Sequence, residues 1–222
     1  MEQKAGKDSW MMRLYRSKIM SFLLYSHSFF LRRELRNCRR VLDIGSGINS
    51  PLQHCSPGFS LAVDRFEPAL REAKAGNTHR AYMLAEAAHM EFKPRSFDAV
   101  VLCELLEHID KNASLSLLEK AEGWAIKKVL VSSPNGYLPY PYEAMHGNPY
   151  QAHRSGWEIR EMRGRGYRAY GLVGLRFRPF PSSVPISILW ASVSVLLQCI
   201  TYYFPKIAFW VFYVKDKENA EM

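Results

Sequence analysis

A three-layer α/β domain around a mostly parallel sheet is the fold class the chain predicts, and three observations predict it. Short apolar runs of strand character recur along the chain, helix signals fall between them, and the first run breaks into a carboxylate and two glycines at Asp43-Ile44-Gly45-Ser46-Gly47. Strands alternating with helical patterns build βαβ units, whose crossovers cover both faces of a parallel sheet with helices. The 222 residues, 48% of them hydrophobic, suffice for one such domain and its core.

Taken in order, Trp10 to about Arg36 sets Met11, Leu14, Tyr15, Ile19, Phe22 and Leu23 at helical spacing among Arg13, Arg16, Lys18, Arg32, Arg33 and Arg36. This basic amphipathic segment, 1–38, has two readings: a helix over the substrate side of the domain, or a helix lying on a membrane surface. Arg40 to Ile44 is the first strand. Beyond its glycine turn Ser50 suits a cap, Pro51 the first helical position and Gln53 a capping box. The second strand is Leu61 to Val63, after which Glu67-Pro68 opens a helix and Gly76-Asn77 closes it. Ala81 to Leu84 and Ala99 to Leu102 follow as strands, with Asp98 given a turn hydrogen bond. Asn112 is the expected cap of the next helix, whose buried face carries Leu117, Ala121, Trp124 and Ala125. Lys128 to Val131 is the fifth strand. Ser155-Gly156-Trp157-Glu158 spells a capping box, Gly164 and Gly166 end that helix, and Arg168 to Leu175 is strand-like.

The tail differs. Pro179 to Pro205 contains no charged residue, and Val184 to Phe204 is long enough to cross a bilayer. A crossing would strand the apolar run Ile207 to Val214 on the far side. The segment 179–205 therefore reads as a helical insertion that packs on the domain or lies in a membrane interface, with 39–178 and 206–217 forming the core.

The net charge of +9 favours an acidic or phosphate-bearing partner or an anionic membrane surface. Cys38, Cys55, Cys103 and Cys199 show no C-x-x-C spacing and no ligand pattern with the histidines, so a reduced, cytoplasmic-facing protein without a structural metal is expected. The polar N-terminus does not look like a cleaved signal.

The chemistry concentrates at strand ends. Gly45 and Gly47 can take positive φ and let a nucleoside lie against the main chain, beside Ser46 and the fixed charge of Asp43. Asp64 ends the second strand seventeen residues after Gly47, where a carboxylate can accept two ribose hydroxyls; alone it would read as a turn residue. Glu86, past the third strand, is set to reach an adenine amine or to stand as a solvated loop charge. A nicotinamide site would place a third glycine where Ser50 stands, and Asp43 would repel its pyrophosphate. A ligand with an amino group and a sulfonium would welcome Asp43, and S-adenosylmethionine has both.

Val41-Leu42-Asp43-Ile44-Gly45-Ser46-Gly47, Val63-Asp64, Ala85 to Phe92, Ser96 to Ile109, Ser132-Ser133-Pro134-Asn135-Gly136 and His153-Arg154-Ser155-Gly156-Trp157 together resemble the class I S-adenosylmethionine-dependent methyltransferases of the broad small-molecule type. The resemblance runs from about Arg39 to Tyr170. It implies a Rossmann-like, seven-stranded sheet whose last strand, Ile207 to Val214, runs antiparallel beside the one from Arg168. It also implies that the glycine turn holds the methionine end of the cofactor, Asp64 with Arg65 the ribose, Glu86 and Ala87 the adenine edge, and Cys103 the wall beneath the sulfonium. Glu86, Ser46 and Glu91 depart from the commonest residues of that family, aspartate, cysteine and proline.

Methyl transfer is an in-line displacement, and alignment of the reactants can contribute roughly 7 to 11 kcal/mol of it. A base helps where the acceptor is a hydroxyl. Glu107 and His108 are the catalytic candidates, since they follow the fourth strand at the ligand-binding edge of such sheets; His108 alternatively packs at a helix start. His146, Asn148, Tyr150 and His153 are the substrate candidates, lying in a polar glycine- and proline-bearing loop after the fifth strand. The acceptor is expected to be a small molecule or a lipid-linked one. Nucleic acid is disfavoured, because Ser132-Ser133-Pro134-Asn135 lacks the Pro-Pro-aromatic box that grips a flipped base. A degenerate cofactor-binding domain, acting as a membrane-associated module, is the alternative.

Overall fold

The computed structural model describes residues 26–139, 148–176 and 197–217. Its centre is a seven-stranded sheet of β1 (Arg40–Ile44), β2 (Phe59–Asp64), β3 (Ala81–Leu84), β4 (Phe97–Cys103), β5 (Ala125–Pro134), β6 (Arg168–Leu175) and β7 (Ala208–Asp216), in spatial order β3-β2-β1-β4-β5-β7-β6. The first five pair in parallel, and β7 lies between β5 and β6, antiparallel to both. The expected sheet and the direction of its last strand are as found. β7 gains its place because Phe212 and Val214 point to one face of the sheet and Val211 and Tyr213 to the other, all fully buried.

That alternation builds two cores. Leu42, Ile44, Val100, Leu102, Val129, Val131, Val211 and Tyr213 face the layer of α3 (Lys111–Trp124) and α4 (Ile159–Gly164), which adds Leu117, Leu118, Ala121, Trp124 and Met162. Val41, Ala99, Val101, Leu130, Phe212 and Val214 face the other way and meet α1 (His27–Glu34). A strand covered on both faces has no solvent side for polar alternation, which is why these runs are continuously apolar. The helix α2 (Glu67–Ala75) leans on β2 and β3, started by Pro68 in its first turn and closed by Asn77 at φ +51°.

The helix α1 docks tightly. Ser26 caps it by accepting from the Phe29 amide, Phe30 is wholly buried with its ring stacked 4.8 Å from Phe212, and Arg33 donates to the Tyr202 hydroxyl at 2.7 Å while lying 5.0 Å above the Tyr170 ring. Residues 1–25 of the basic segment lie outside the described residues. So do residues 177–196, which take in 179–196 of the apolar insertion. Its last part forms α5 (Gln198–Tyr203), which packs on β6: Gln198 donates to the Leu172 carbonyl at 2.6 Å, and the Thr201 carbonyl comes so close to Gly171 that a Cβ there would lie 2.0 Å away. Among the described residues no helix is long and apolar enough to cross a membrane.

Three local expectations differ from what forms. The segment after the glycine turn is one 3-10 turn, Pro51–His54, not a full helix, although Ser50 does accept from the Leu52 amide. Asp110, not Asn112, occupies the N-cap of α3. Ser155 caps nothing: Glu158 is the N-cap of α4, and the Ser155 hydroxyl donates instead to the Leu106 carbonyl at 2.8 Å, tying the 153–157 segment to the end of β4. A local capping pattern loses when a buried carbonyl nearby needs a donor. Asp98 behaves as expected. It accepts from the Arg39 and Arg40 amides at 2.7 and 2.9 Å, closing the far end of the sheet.

Candidate active site

The strand order reverses between β1 and β4, and the carboxyl ends there open a crevice, the place where open α/β sheets bind ligands. A cleft of about 620 Å³, solvent at its mouth included, lies on these ends. Gly45 and Gly47 after β1, Asp64 and Arg65 at the end of β2, Glu86 and Ala87 after β3, Glu104, Leu105 and His108 after β4, and Asn148, Tyr150 and Gln151 line it.

The glycine turn is built from both sides. Gly45 sits at φ +71°, and a Cβ on it would meet Leu105 Cδ1 at 2.7 Å; Gly47 sits at φ +57° with open space where its Cβ would be. One glycine therefore lets β4's exit loop close on the turn, and the other leaves the cleft floor bare. The Gly47 amide donates to Asp64 Oδ2 and the Phe66 amide to Asp64 Oδ1, both at 2.8 Å. A carboxylate offers about four lone-pair sites, so Asp64 holds the loops and keeps acceptor capacity toward the cleft.

Arg65 closes the outer wall. Its guanidinium pairs with Glu86 at 3.0 Å and lies 3.7 Å from the centre of the Tyr150 ring. Tyr150 rides on the turn Pro149–Gln151, capped by Asn148, whose side chain accepts from the Tyr150 amide at 3.0 Å.

Asp43, Ser46 and Cys103 stand behind this wall, not on it. Asp43 is 2% exposed, accepts from Ser50 Oγ at 2.5 Å and pairs with His79 Nε2 at 3.0 Å, so its charge is engaged inside the protein and not presented to a ligand's amino group. The signal missed in the sequence was His79, 36 residues away. The Cys103 thiol is pushed well above its ordinary value by burial, then by the charge of Asp43, and is an inert thiol packed behind the cleft.

The exit of β4 carries the densest polar cluster. Glu104 has a left-handed backbone at φ +53° and a carboxylate that accepts from Ser132 Oγ at 2.7 Å and from Trp210 Nε1 and meets His27 Nε2 at 3.2 Å. Burial pushes Glu104 up, but these donors outweigh it and hold the carboxyl below its ordinary value. Glu104 was not among the sequence candidates, although Glu104-x-x-Glu107 was a readable spacing. Glu107, 2% exposed, is pushed well above the usual carboxylate range by burial, with the Glu104 charge adding to it, and its Oε2 has no hydrogen-bond partner. Its main chain is used, since its carbonyl accepts from the Arg154 and Ser155 amides at 2.7 and 3.1 Å. His108 is lowered by burial and then by His153, whose ring centre is 4.9 Å away. Of the substrate candidates, Asn148 and Tyr150 line the cleft, His153 lies behind His108, and His146 is outside the described residues. Asn135 is an anchor: its amide donates to the carbonyls of Pro205, Lys206 and Ala208.

A Rossmann-like sheet with its cleft at the switch point, an acidic residue ending β2 and a glycine turn ending β1 defines a nucleotide-cofactor α/β enzyme. Residues 42–122 match a family model described as a methyltransferase domain. In fold, the chain is similar to a SAM dependent methyltransferase from Archaeoglobus fulgidus, with 17% identity, a TM-score of 0.55, and 90% of this chain and 98% of that one covered. It is similar also to a protein of Bacillus halodurans C-125 assigned to the methyltransferases, with 14% identity, a TM-score of 0.55, and 86% and 98% covered. No curated protein matches the chain. The matched residues run from β1 into α3 and carry the glycine turn, Asp64, Glu86 and Ala87, so the methyltransferase-domain match and the fold shared with S-adenosylmethionine-dependent methyltransferases meet at the same cleft.

Proposed function

We propose that the protein transfers a methyl group to a small-molecule acceptor, with S-adenosylmethionine lying along the cleft from Gly47 to Glu86 and the acceptor entering beside His108 and Asn148. The observation that carries this reading is the order of the lining: bare glycine floor, Asp64 carboxylate, then Glu86 and Ala87, on the successive ends of β1, β2 and β3. These residues fit the cofactor, because Gly47 leaves open space and Asp64 retains acceptor capacity for vicinal hydroxyls.

In this reading Asp64 takes the ribose, Glu86 and Ala87 the adenine edge, and Gly45 to Gly47 the amino-acid end. When bound, the cofactor supplies an electrophilic methyl carbon on a cationic sulfur. The chain's own work is alignment and exclusion of water. The Arg65–Tyr150 pair covers the nucleoside side, and Leu105, pressed against Gly45, fills the floor between cofactor and acceptor. Asp43 stiffens the turn from behind through Ser50 and His79.

Calorimetric titration with S-adenosylhomocysteine tests this. Wild-type protein is expected to bind one equivalent, and Asp64→Asn to weaken binding roughly 10- to 150-fold, the worth of about 1.5 to 3 kcal/mol for hydrogen bonds to a charged acceptor. Equal affinities would remove Asp64 from the site, and no heat at millimolar ligand would end the reading.

A further inference from the structure

The sequence offered no metal-ligand spacing, yet the fold collects one. Glu107 and His108 leave β4 together, and His153, 45 residues later in the chain, is brought against them by the Ser155 and Arg154 bonds to the Leu106 and Glu107 carbonyls. One ligand atom from each of the three lies within 4.8 Å of the others. We propose that Glu107, His108 and His153 bind a divalent first-row transition-metal ion at the acceptor end of the cleft.

Two features beyond proximity point to a cation. Glu107 is 2% exposed and its Oε2 is buried without a hydrogen-bond partner, an arrangement that proteins avoid unless something else meets the oxygen. Lys111 does not, being committed to the Gly156 carbonyl at 2.8 Å and to Glu161 at 2.6 Å. The two histidines, in turn, are oriented as ligands are. His108 Nδ1 lies 3.4 Å from the Ala152 carbonyl and His153 Nδ1 lies 2.5 Å from the Leu138 carbonyl. Donation from Nδ1 to a main-chain carbonyl fixes the tautomer with its lone pair on Nε2, which is how metal-bound histidines are held in place.

Two imidazoles and one carboxylate suit zinc, manganese or iron, and leave coordination positions open. Metal–ligand distances of about 2.0 to 2.2 Å put ligand atoms roughly 3 to 3.5 Å apart, so binding draws the three side chains together by small rotations. His108 also lines the cleft, together with Leu105, Ile109, Asn148, Tyr150 and Gln151. An ion on its ring therefore faces the acceptor space, and its open positions would take an oxygen or nitrogen donor of the acceptor. The site does not depend on the cofactor assignment.

The test uses the full chain, stripped with chelator and titrated separately with Mn²⁺ and Co²⁺. One equivalent is expected to bind, followed by electron paramagnetic resonance for Mn²⁺ and by visible absorption for Co²⁺. The Co²⁺ spectrum should lack a thiolate charge-transfer band, which distinguishes this site from the cysteines. His153→Ala and Glu107→Gln should each weaken binding roughly 10- to 100-fold or more. Unchanged S-adenosylhomocysteine affinity and a cooperative thermal transition in His153→Ala show that the fold survives; if that variant fails to fold, His153→Gln replaces it. No saturable binding of either ion, a thiolate band, or wild-type affinity in both variants would overturn the proposal.

Discussion

Gly45→Ala is the substitution for which the structure gives the sharpest magnitude. Two costs add at this position. The backbone holds φ +71°, and a left-handed conformation costs an L-residue about 1 to 2 kcal/mol. The new methyl would also meet Leu105, at 2.7 Å from Cδ1 and 3.2 Å from both Cβ and Cγ. Rotation can move the Cδ1 contact but not the Cβ contact, so the exit of β4 must shift; overpacking of this kind costs about 1 to 3 kcal/mol. The sum is roughly 2 to 5 kcal/mol. Gly47→Ala is the built-in control, because φ is +57° there and no atom lies within 4 Å of where the new methyl would stand, leaving only the conformational cost of about 1 to 2 kcal/mol. Equilibrium urea unfolding followed by tryptophan fluorescence measures both. Adding Leu105→Ala to Gly45→Ala should recover part of the loss, as a coupling of about 0.5 to 3 kcal/mol between contacting residues. If Gly45→Ala costs no more than Gly47→Ala, or if Leu105→Ala returns nothing, the packing of the turn against β4 is wrong.

Other expectations follow from the same geometry. Phe30 is wholly buried between Phe212 and Tyr202, so Phe30→Ala should cost about 3 to 5 kcal/mol in urea unfolding; a loss under about 1 kcal/mol would mean that α1 is not part of the core. Burial pushes the Asp98 carboxyl up, but the Arg39 and Arg40 amides and Lys127 outweigh it and hold it below its ordinary value near 3.8. A depressed acid stabilises the fold above that value and loses the contribution as pH falls through the folded one. Asp98→Asn should therefore be less stable than wild type at pH 7 and should approach it in acid, and a constant difference in melting temperature from pH 7 to 3 would refute the assignment. Tyr150→Leu removes the ring beneath Arg65, and a cation–π contact worth about 0.5 to 2 kcal/mol predicts roughly 2- to 30-fold weaker S-adenosylhomocysteine binding, read by calorimetry.

The strands were legible because their signal is local. Arg40–Ile44, Ala81–Leu84 and Arg168–Leu175 form with the bounds that apolar runs and flanking glycines and prolines suggest, and β5 merely extends further at both ends into Ala125–Pro134. The strand-end positions of Gly45, Gly47, Asp64, Glu86 and Ala87 were legible for the same reason. What escaped depends on partners distant in sequence. Asp43 looked like an open charge until His79 arrived to hold it, and Ser155 looked like a cap until the Leu106 carbonyl claimed its hydroxyl. Glu107, His108 and His153 could not be grouped by spacing, since His153 follows His108 by 45 positions and the two meet through the folded exits of β4 and β5.

A crystal structure with S-adenosylhomocysteine is the most direct test that the cofactor lies along the ends of β1, β2 and β3. Density is expected over the Gly45–Gly47 turn, with ribose hydroxyls on Asp64, adenine along Glu86 and Ala87, and the sulfur directed toward His108. Density at any other part of the sheet, or a ribose without contact to Asp64, would contradict it.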